Sequence, residues 1–329
     1  MQRRDFLGLA TLMGLHSGLQ AEPQQPKRKS GIVLDPGFKQ HWIQSGHPES
    51  PARYHALEQR LMEQDLLNLL QLMTPTIDAE DWLHKIHSDW HIEQISSNDP
   101  EAHSAALLAT SAMLTATDAV CRGKVDNAFS ASRPPGHHAE NGGAEEGFCY
   151  YNHIAIAARY AQQKFALERV LIVDWDYHHG NGTEWAFYDD PSVLFFSTHD
   201  WYAYPGTGDP GKTGKGAGEG FNINVHLPCG SGDAEIIEAF EHYLLPAADA
   251  FKPDLVLISA GFDSRHDDWL GCHLVTDDGF ARLTRMVMQI ADKHCNGRVV
   301  SVLEGGYNLE GNALAVISHV RALMQPMDQ

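Results

Sequence analysis

Short apolar runs recur along the chain, separated by longer stretches in which apolar residues return every three or four positions. The runs at 32–34, 125–130, 170–173, 193–197, 222–225, 255–259 and 299–303 predict strands. The stretches at 52–70, 103–121, 151–163, 233–250, 277–294 and 313–324 predict helices. Strands alternating with helices predict βαβ units. The expected fold class is therefore α/β, with a mostly parallel sheet covered on both faces. There is no second shift in composition and no internal repeat, so one domain is expected over residues 31–329.

The polar residues just after several of these strands are unusual. In VLIVDWDYHHGNGT the apolar run is followed by Asp174, Asp176, His178 and His179. RPPGHH places His137 and His138 beyond another strand, SAGFD places Asp263, and LEGGY places Tyr307. Ligands of open α/β sheets sit at the carboxyl ends of the strands. Asp176 and His178 are two apart on an extended segment and leave it on the same side. With Asp263 they make a three-ligand set that keeps a coordination position open, as catalytic zinc sites do. An isolated Asp-x-His pair serves equally well as a cap or a core ion pair, and a lone tyrosine as a core residue. Water on zinc ionises near a pKa of about 7, and His137 and His138 are available as bases. Asp174 and Asn181 are the candidates to set their tautomers. Tyr307 follows two glycines, and a hydroxyl donor to an oxyanion is worth about 3 kcal/mol.

Composition narrows the partners. The hydrophobic share of 43% supports a buried core, and the net charge of −19 disfavours nucleic acid and favours cations. The five cysteines are odd in number and contain no CxxC, so they read as buried thiols rather than as a disulfide framework. The leader MQRRDFLGLATLMGLHSGLQA is too short to span a membrane. Its Arg3-Arg4 pair reads as a twin-arginine export signal, with a linker to residue 30, and predicts a periplasmic protein; the alternative is a cytoplasmic tail. GTGDPGKT matches a phosphate-loop pattern but lacks the strand before it and the helix after it. HKIHSDWH puts His84, His87 and His91 near one helical face, which reads as a solvated surface rather than a metal site.

The motifs RPPGHHA, GFCYYN, VDWDYHHGNGT, SAGFD, LEGGYNL and HPESPAR together resemble the zinc-dependent histone deacetylase family, in particular its class II and bacterial members. The resemblance runs in order from about Gly31 to near the C-terminus. It implies an arginase/deacetylase fold: a single domain around a mostly parallel, eight-stranded sheet flanked by helices. It implies one Zn2+ per chain on Asp176, His178 and Asp263, with ferrous iron as the other metal such a site would hold. His138 would be the general base and His137 its electrostatic or acid partner, oriented by Asn181 and Asp174 respectively. Asn181 fits class II, where class I carries Asp, and Tyr307 separates the chain from weakly active vertebrate relatives with His there. Phe148 and Tyr204 would wall an acyl-lysine tunnel, lined also by Gly147 and Gly305, with Arg53 behind it. A K+ ion would sit on Asp174, Asp176, His178, Ser197 and Thr198. Leu270 takes the gate position, and Asn98 or Asp99 would grip the substrate backbone from the rim.

The activity implied is hydrolysis of an N-acetyl-lysine-type amide in a peptide or protein. An acetylated polyamine is the alternative substrate of the same site, and an inactive acyl-lysine binding module the alternative without catalysis. A ureohydrolase of the arginase type needs a second metal set that DWDYHH does not supply. The sequence leaves an oligomer open and does not set its order.

Overall fold

The computed structural model describes residues 28–326. The leader, with the Arg3-Arg4 pair, lies outside these residues. The strands are β1 (Ser30–Val33), β2 (Gln71–Met73), β3 (Asn127–Ser130), β4 (Val170–Asp174), β5 (Val193–His199), β6 (Asn222–His226), β7 (Leu255–Ala260) and β8 (Val299–Leu303). They form one sheet in the order β2-β1-β3-β8-β7-β4-β5-β6. Every pairing in it is parallel. The central strands β4, β7 and β8 are buried along their whole length. That is why they read as continuous apolar runs and not as alternating ones.

The helices are α1 (Pro51–Glu63), α2 (Glu80–Leu83), α3 (Asp89–Asn98), α4 (Pro100–Cys121), α5 (His153–Phe165), α6 (Asn181–Phe187), α7 (Asp233–Ala239), α8 (Leu245–Phe251), α9 (Asp277–Cys295) and α10 (Leu309–Met324). Several carry the expected caps. Asn152 accepts from the Ala155 amide, Thr276 from Gly279 and Asn308 from Gly311. The predicted helix at 233–250 is α7 and α8 joined through a π-helical segment, Phe240–Leu244. Helix α4 is long and apolar enough to cross a membrane, but 67% of its apolar window is buried inside the fold. It is a core helix, packed against α5, β3 and β1.

Two expectations need correction. β2 was not visible in the pattern. It is a short edge strand with Gln71 and Leu72 exposed, so nothing forces an apolar run on it. The cysteines are not all thiols: Cys229 and Cys272 are joined, with Cα atoms 5.1 Å apart across 43 residues of sequence. Their loops meet because the Gly230 amide donates to the Cys272 carbonyl (2.9 Å) and Leu274 to Ser231 (2.7 Å). No spacing rule connects positions so far apart. Cys121, Cys149 and Cys295 are free.

Candidate active site

Because all strands run the same way, their carboxyl ends open on one side, and the chemistry gathers there. β4 ends at Asp174, β7 runs into Asp263, β8 into Tyr307, and β3 into the tandem histidines. One ligand atom each from Asp176, His178 and Asp263 lie within 4.8 Å of one another. His178 Nδ1 stands 3.2 Å from Asp176 Oδ1 and 3.0 Å from Asp263 Oδ2. Backbone amides steady the carboxylates: Gly305 donates to Asp176 Oδ2 (2.9 Å), His178 to Asp176 Oδ1 (2.9 Å) and Tyr177 to Asp263 Oδ1 (2.8 Å). A Cβ on Gly305 would stand 2.1 Å from Asp263 Oδ2, so only glycine lets this backbone approach.

The electrostatics favour a cation. Burial pushes the Asp263 carboxyl up to about 7, reinforced by the Asp176 charge beside it. Burial opposes the charge on His178, but its hydrogen bonds to Asp176 and Asp263 carry it up to about 10. Two buried carboxylates thus share one imidazole. Two hard oxygens and one nitrogen, converging, suit a divalent ion such as zinc or ferrous iron. Both the geometry and the donor chemistry fit.

Beside the triad, the tandem histidines are driven apart. His137 Nδ1 donates to Asp174 Oδ2 (2.9 Å), and its Nε2 is 3.8 Å from Asp176. Burial works against a charge on it, yet the Asp176 and Asp174 carboxylates hold its pKa well above the usual imidazole range. His138 Nδ1 donates to Asn181 Oδ1 (2.8 Å), which leaves Nε2 free. Burial, then the charges of His137 and His178, hold its pKa well below the usual range. The rings are 4.0 Å apart. One imidazole is kept cationic and the other neutral, which is the division an acid–base pair needs.

A cavity of about 650 Å³ reaches the triad from solvent. Phe148 and Tyr204 face it from the sides, His138, His178 and Tyr307 border its floor, and Leu270 its mouth. Gly147 and Phe148 both have left-handed backbone, with φ of 55° and 68°. A Cβ on Gly147 would stand 2.4 Å from the His138 ring and 2.6 Å from Tyr204. Tyr307 is 4% exposed, with the Arg53 guanidinium 4.9 Å from its ring centroid. Burial raises the phenol pKa well above its ordinary value, so it stays a proton donor. A second cavity, about 480 Å³ between β2 and α4, is remote from this chemistry.

Neither Asn98 nor Asp99 borders the cavity. Asn98 ends α3, and the Asp99 carboxylate caps α4 by accepting from Ala102 (2.9 Å). The two helices are separated by that one residue, so no loop remains to reach the substrate. Ser197 pairs with Asp174 in the β4–β5 register, and its hydroxyl meets His199 Nδ1 at 2.8 Å. The Thr198 hydroxyl is buried without a partner.

Some residues of the site were not anticipated. Tyr177 and Glu145 border the cavity. Glu304, fully buried, accepts from the Gly136 amide (2.7 Å), the His137 amide (3.2 Å) and the Ser259 hydroxyl (3.0 Å), and so anchors the tandem histidines. Burial raises its pKa to about 7. The signal was a glutamate directly after an apolar strand, in LEGGY. The HKIHSDWH reading also changes: His84 is exposed, but His87 and His91 are buried, at 2% and 0%.

A single parallel α/β domain with a two-carboxylate, one-imidazole triad beside a histidine dyad defines a class of hydrolase. The comparisons name the family. The family model for the histone deacetylase domain matches residues 47–323. The chain is 36% identical over 298 residues to a probable deacetylase of Archaeoglobus fulgidus, covering 86% of this chain and 82% of that one. It is 36% identical to human histone deacetylase 9, covering 92% of this chain and 34% of the relative. It is 38% identical to histone deacetylase clr3 of Schizosaccharomyces pombe, covering 92% of this chain and 49% of that one. The chain thus spans about a third and a half of those two longer relatives. The crystal structure of the HDA15 HD domain superposes with a TM-score of 0.84 at 33% identity, over 90% of this chain and 88% of that one. The chain belongs to the histone deacetylase family, and its fold is the arginase/deacetylase fold.

Proposed function

We propose that the protein is a zinc-dependent deacetylase acting on linear amides of the N-acetyl-lysine type. The observation that carries this is the triad of Asp176, His178 and Asp263 beside one neutral and one cationic histidine, at the foot of an aromatic-walled cavity. A bound zinc ion supplies a Lewis acid and lowers the pKa of water to about 7. Phe148 and Tyr204 hold the apolar part of the acyl-lysine side chain between them. His138 Nε2 takes a proton from the attacking water while Asn181 fixes its tautomer. The Tyr307 hydroxyl donates to the carbonyl oxygen as negative charge grows there. The C–N bond breaks, a histidine proton passes to the leaving amine, and a carboxylate and an amine are released. A K+ ion on Asp174, Asp176, His178, Ser197 and the Thr198 carbonyl belongs to the same reading, supported by the pairing of Asp174 with Ser197 at the ends of β4 and β5.

Tyr307→Phe should leave the bound zinc stoichiometric and lower kcat about a hundredfold, the effect of losing one oxyanion donor. Undiminished turnover would remove Tyr307 from the mechanism. Treatment with a chelator should abolish activity and added zinc restore it; activity that survives metal removal would refute the reading.

An acetylated polyamine is favoured by a different observation, the Glu145 carboxylate at the cavity mouth together with the net charge of −19. Leu270, apolar at the same mouth, favours the peptide substrate. The ratio of kcat/KM for an acetyl-lysine peptide and for acetylputrescine separates the two. Export to the periplasm completes the proposal. The Arg3-Arg4 leader and the joined Cys229 and Cys272 support it, since disulfides persist in oxidising compartments. Sequencing the N-terminus of the mature chain tests it.

A further inference from the structure

Helix α3 and the bend before it take no part in the triad or the dyad, yet the buried His87 of the bend and His91 of the helix meet the segment that walls the cavity. That segment, residues 140–152, carries Glu145, Gly147 and Phe148 and has little regular structure of its own. Its internal ladder is the exchange between Glu146 and Cys149, both bonds 2.9 Å. His87 Nδ1 donates to the Glu140 carbonyl (2.8 Å), and the Asn152 amide donates to His87 Nε2 (2.9 Å). His91 Nε2 donates to the Tyr150 carbonyl (2.8 Å), and the Gly143 amide donates to His91 Nδ1 (3.0 Å). The two rings stack, with centroids 4.8 Å apart and planes 21° from parallel.

Each imidazole therefore gives one bond and takes one, in opposite tautomers. No nitrogen is left for a metal. His87 ties the two ends of the segment, and His91 ties its inner turns. From Glu140 the linkage continues to the dyad. Asn181 Nδ2 donates to Glu140 Oε1 (2.7 Å), and Asn181 Oδ1 accepts from His138 (2.8 Å). The Asn152 side chain reaches the same helix by donating to the Thr183 hydroxyl (3.2 Å).

We propose that His87 and His91 are positioning residues, a stacked two-imidazole clamp that holds the cavity wall at Gly147–Phe148 and, through Glu140 and Asn181, orients His138. The inference rests on the deacetylase reading for its kinetic consequence but not for its structural one. Phenylalanine at either position keeps the ring and the stack and deletes both hydrogen bonds. Glutamine at 91 returns one donor and one acceptor.

The test is made on the full chain loaded with zinc, with an acetyl-lysine peptide as substrate and peptide-resolved amide hydrogen exchange as the second readout. His91→Phe should raise KM about fivefold with kcat within about twofold, because it frees the wall and not the base. His87→Phe should lower kcat as well. Both should speed exchange within 140–152 about tenfold while β7 and β8 stay protected. His91→Gln should recover most of the loss, and it serves in place of His91→Phe if that variant does not fold. Unchanged KM and kcat in both phenylalanine variants, or exchange that rises evenly over the whole chain, overturns the clamp. If the wild type turns over no acyl-lysine substrate, the deacetylase reading fails separately. Exchange then decides alone: faster exchange confined to 140–152 supports the clamp, and unaltered exchange there refutes it.

Discussion

His87, His153, His199 and His319 are buried imidazoles with both ring nitrogens engaged by carbonyl, amide or hydroxyl partners. Burial lowers the pKa of His153 to about 4 and of the other three to about 3. In the unfolded chain all four would titrate near 6.5. Between these values the unfolded state binds protons that the native state refuses, so stability is complete above pH 6.5 and falls as pH drops towards 4. Each such group contributes at most about 1.4 kcal/mol per pH unit in that window. The urea midpoint of the zinc-loaded protein should be clearly lower at pH 5 than at pH 7, and a flat profile would contradict the burial assigned to these rings. At this scale the sequence disclosed the residues whose partners are other side chains. Asp176, His178, Asp263 and the tandem histidines stand out as chemistry-bearing residues after apolar strands. His87 and His91 did not, because they bond backbone groups, which have no letter of their own; Glu304 follows an apolar strand as the others do and is set apart only by its partners, two backbone amides and the Ser259 hydroxyl. Asn98 and Asp99 lie at the junction of α3 and α4, where Asp99 caps α4; capping and rim roles use the same residue types.

At the scale of elements, α9 joins sequence and fold most directly. Thr276 caps its first turn, Asp277 and Asp278 follow, and Lys293 and His294 sit in its last turn, each matched to the local helix dipole. Thr276→Ala should cost about 1 kcal/mol, the usual loss for an N-cap, and lower Tm by a few degrees. Turnover should not change, since α9 touches no part of the cavity; a drop in kcat would show that the cap matters to the site. Strands were legible where both faces are buried, as in β4, β7 and β8, because sequence must then be apolar throughout. β2 escaped because an exposed edge imposes no such demand. The π-helical insertion between α7 and α8 escaped because an extra residue in a turn leaves the apolar period nearly intact.

At the scale of the molecule, a metal held by the proposed triad would be coupled to the fold. Asp176 and Asp263 are fully buried and share one imidazole, so an ion bound between them, as proposed, would stabilise the native state against the unfolded chain. At a hundredfold excess over Kd the gain is about 2.7 kcal/mol. Removing zinc should lower Tm by several degrees and re-addition restore it; an unmoved Tm would mean that the triad binds no ion. A mostly parallel sheet was readable from the alternation of strands with helices, whereas the strand order and the absence of any antiparallel pairing among the described strands were not, because non-local pairing leaves little trace in local pattern.

The shared direction of the strands draws one cavity from positions as distant as His138 and Tyr307. The chain therefore cannot be divided and keep a working half. A cut between the exposed Lys215 and Gly216, where a short 3-10 helix begins, would leave the tandem histidines, Asp176 and His178 on one fragment, and Asp263 and Tyr307 on the other. Neither piece alone would own a complete cation site. Under the proposed function, activity would require the two fragments to dock.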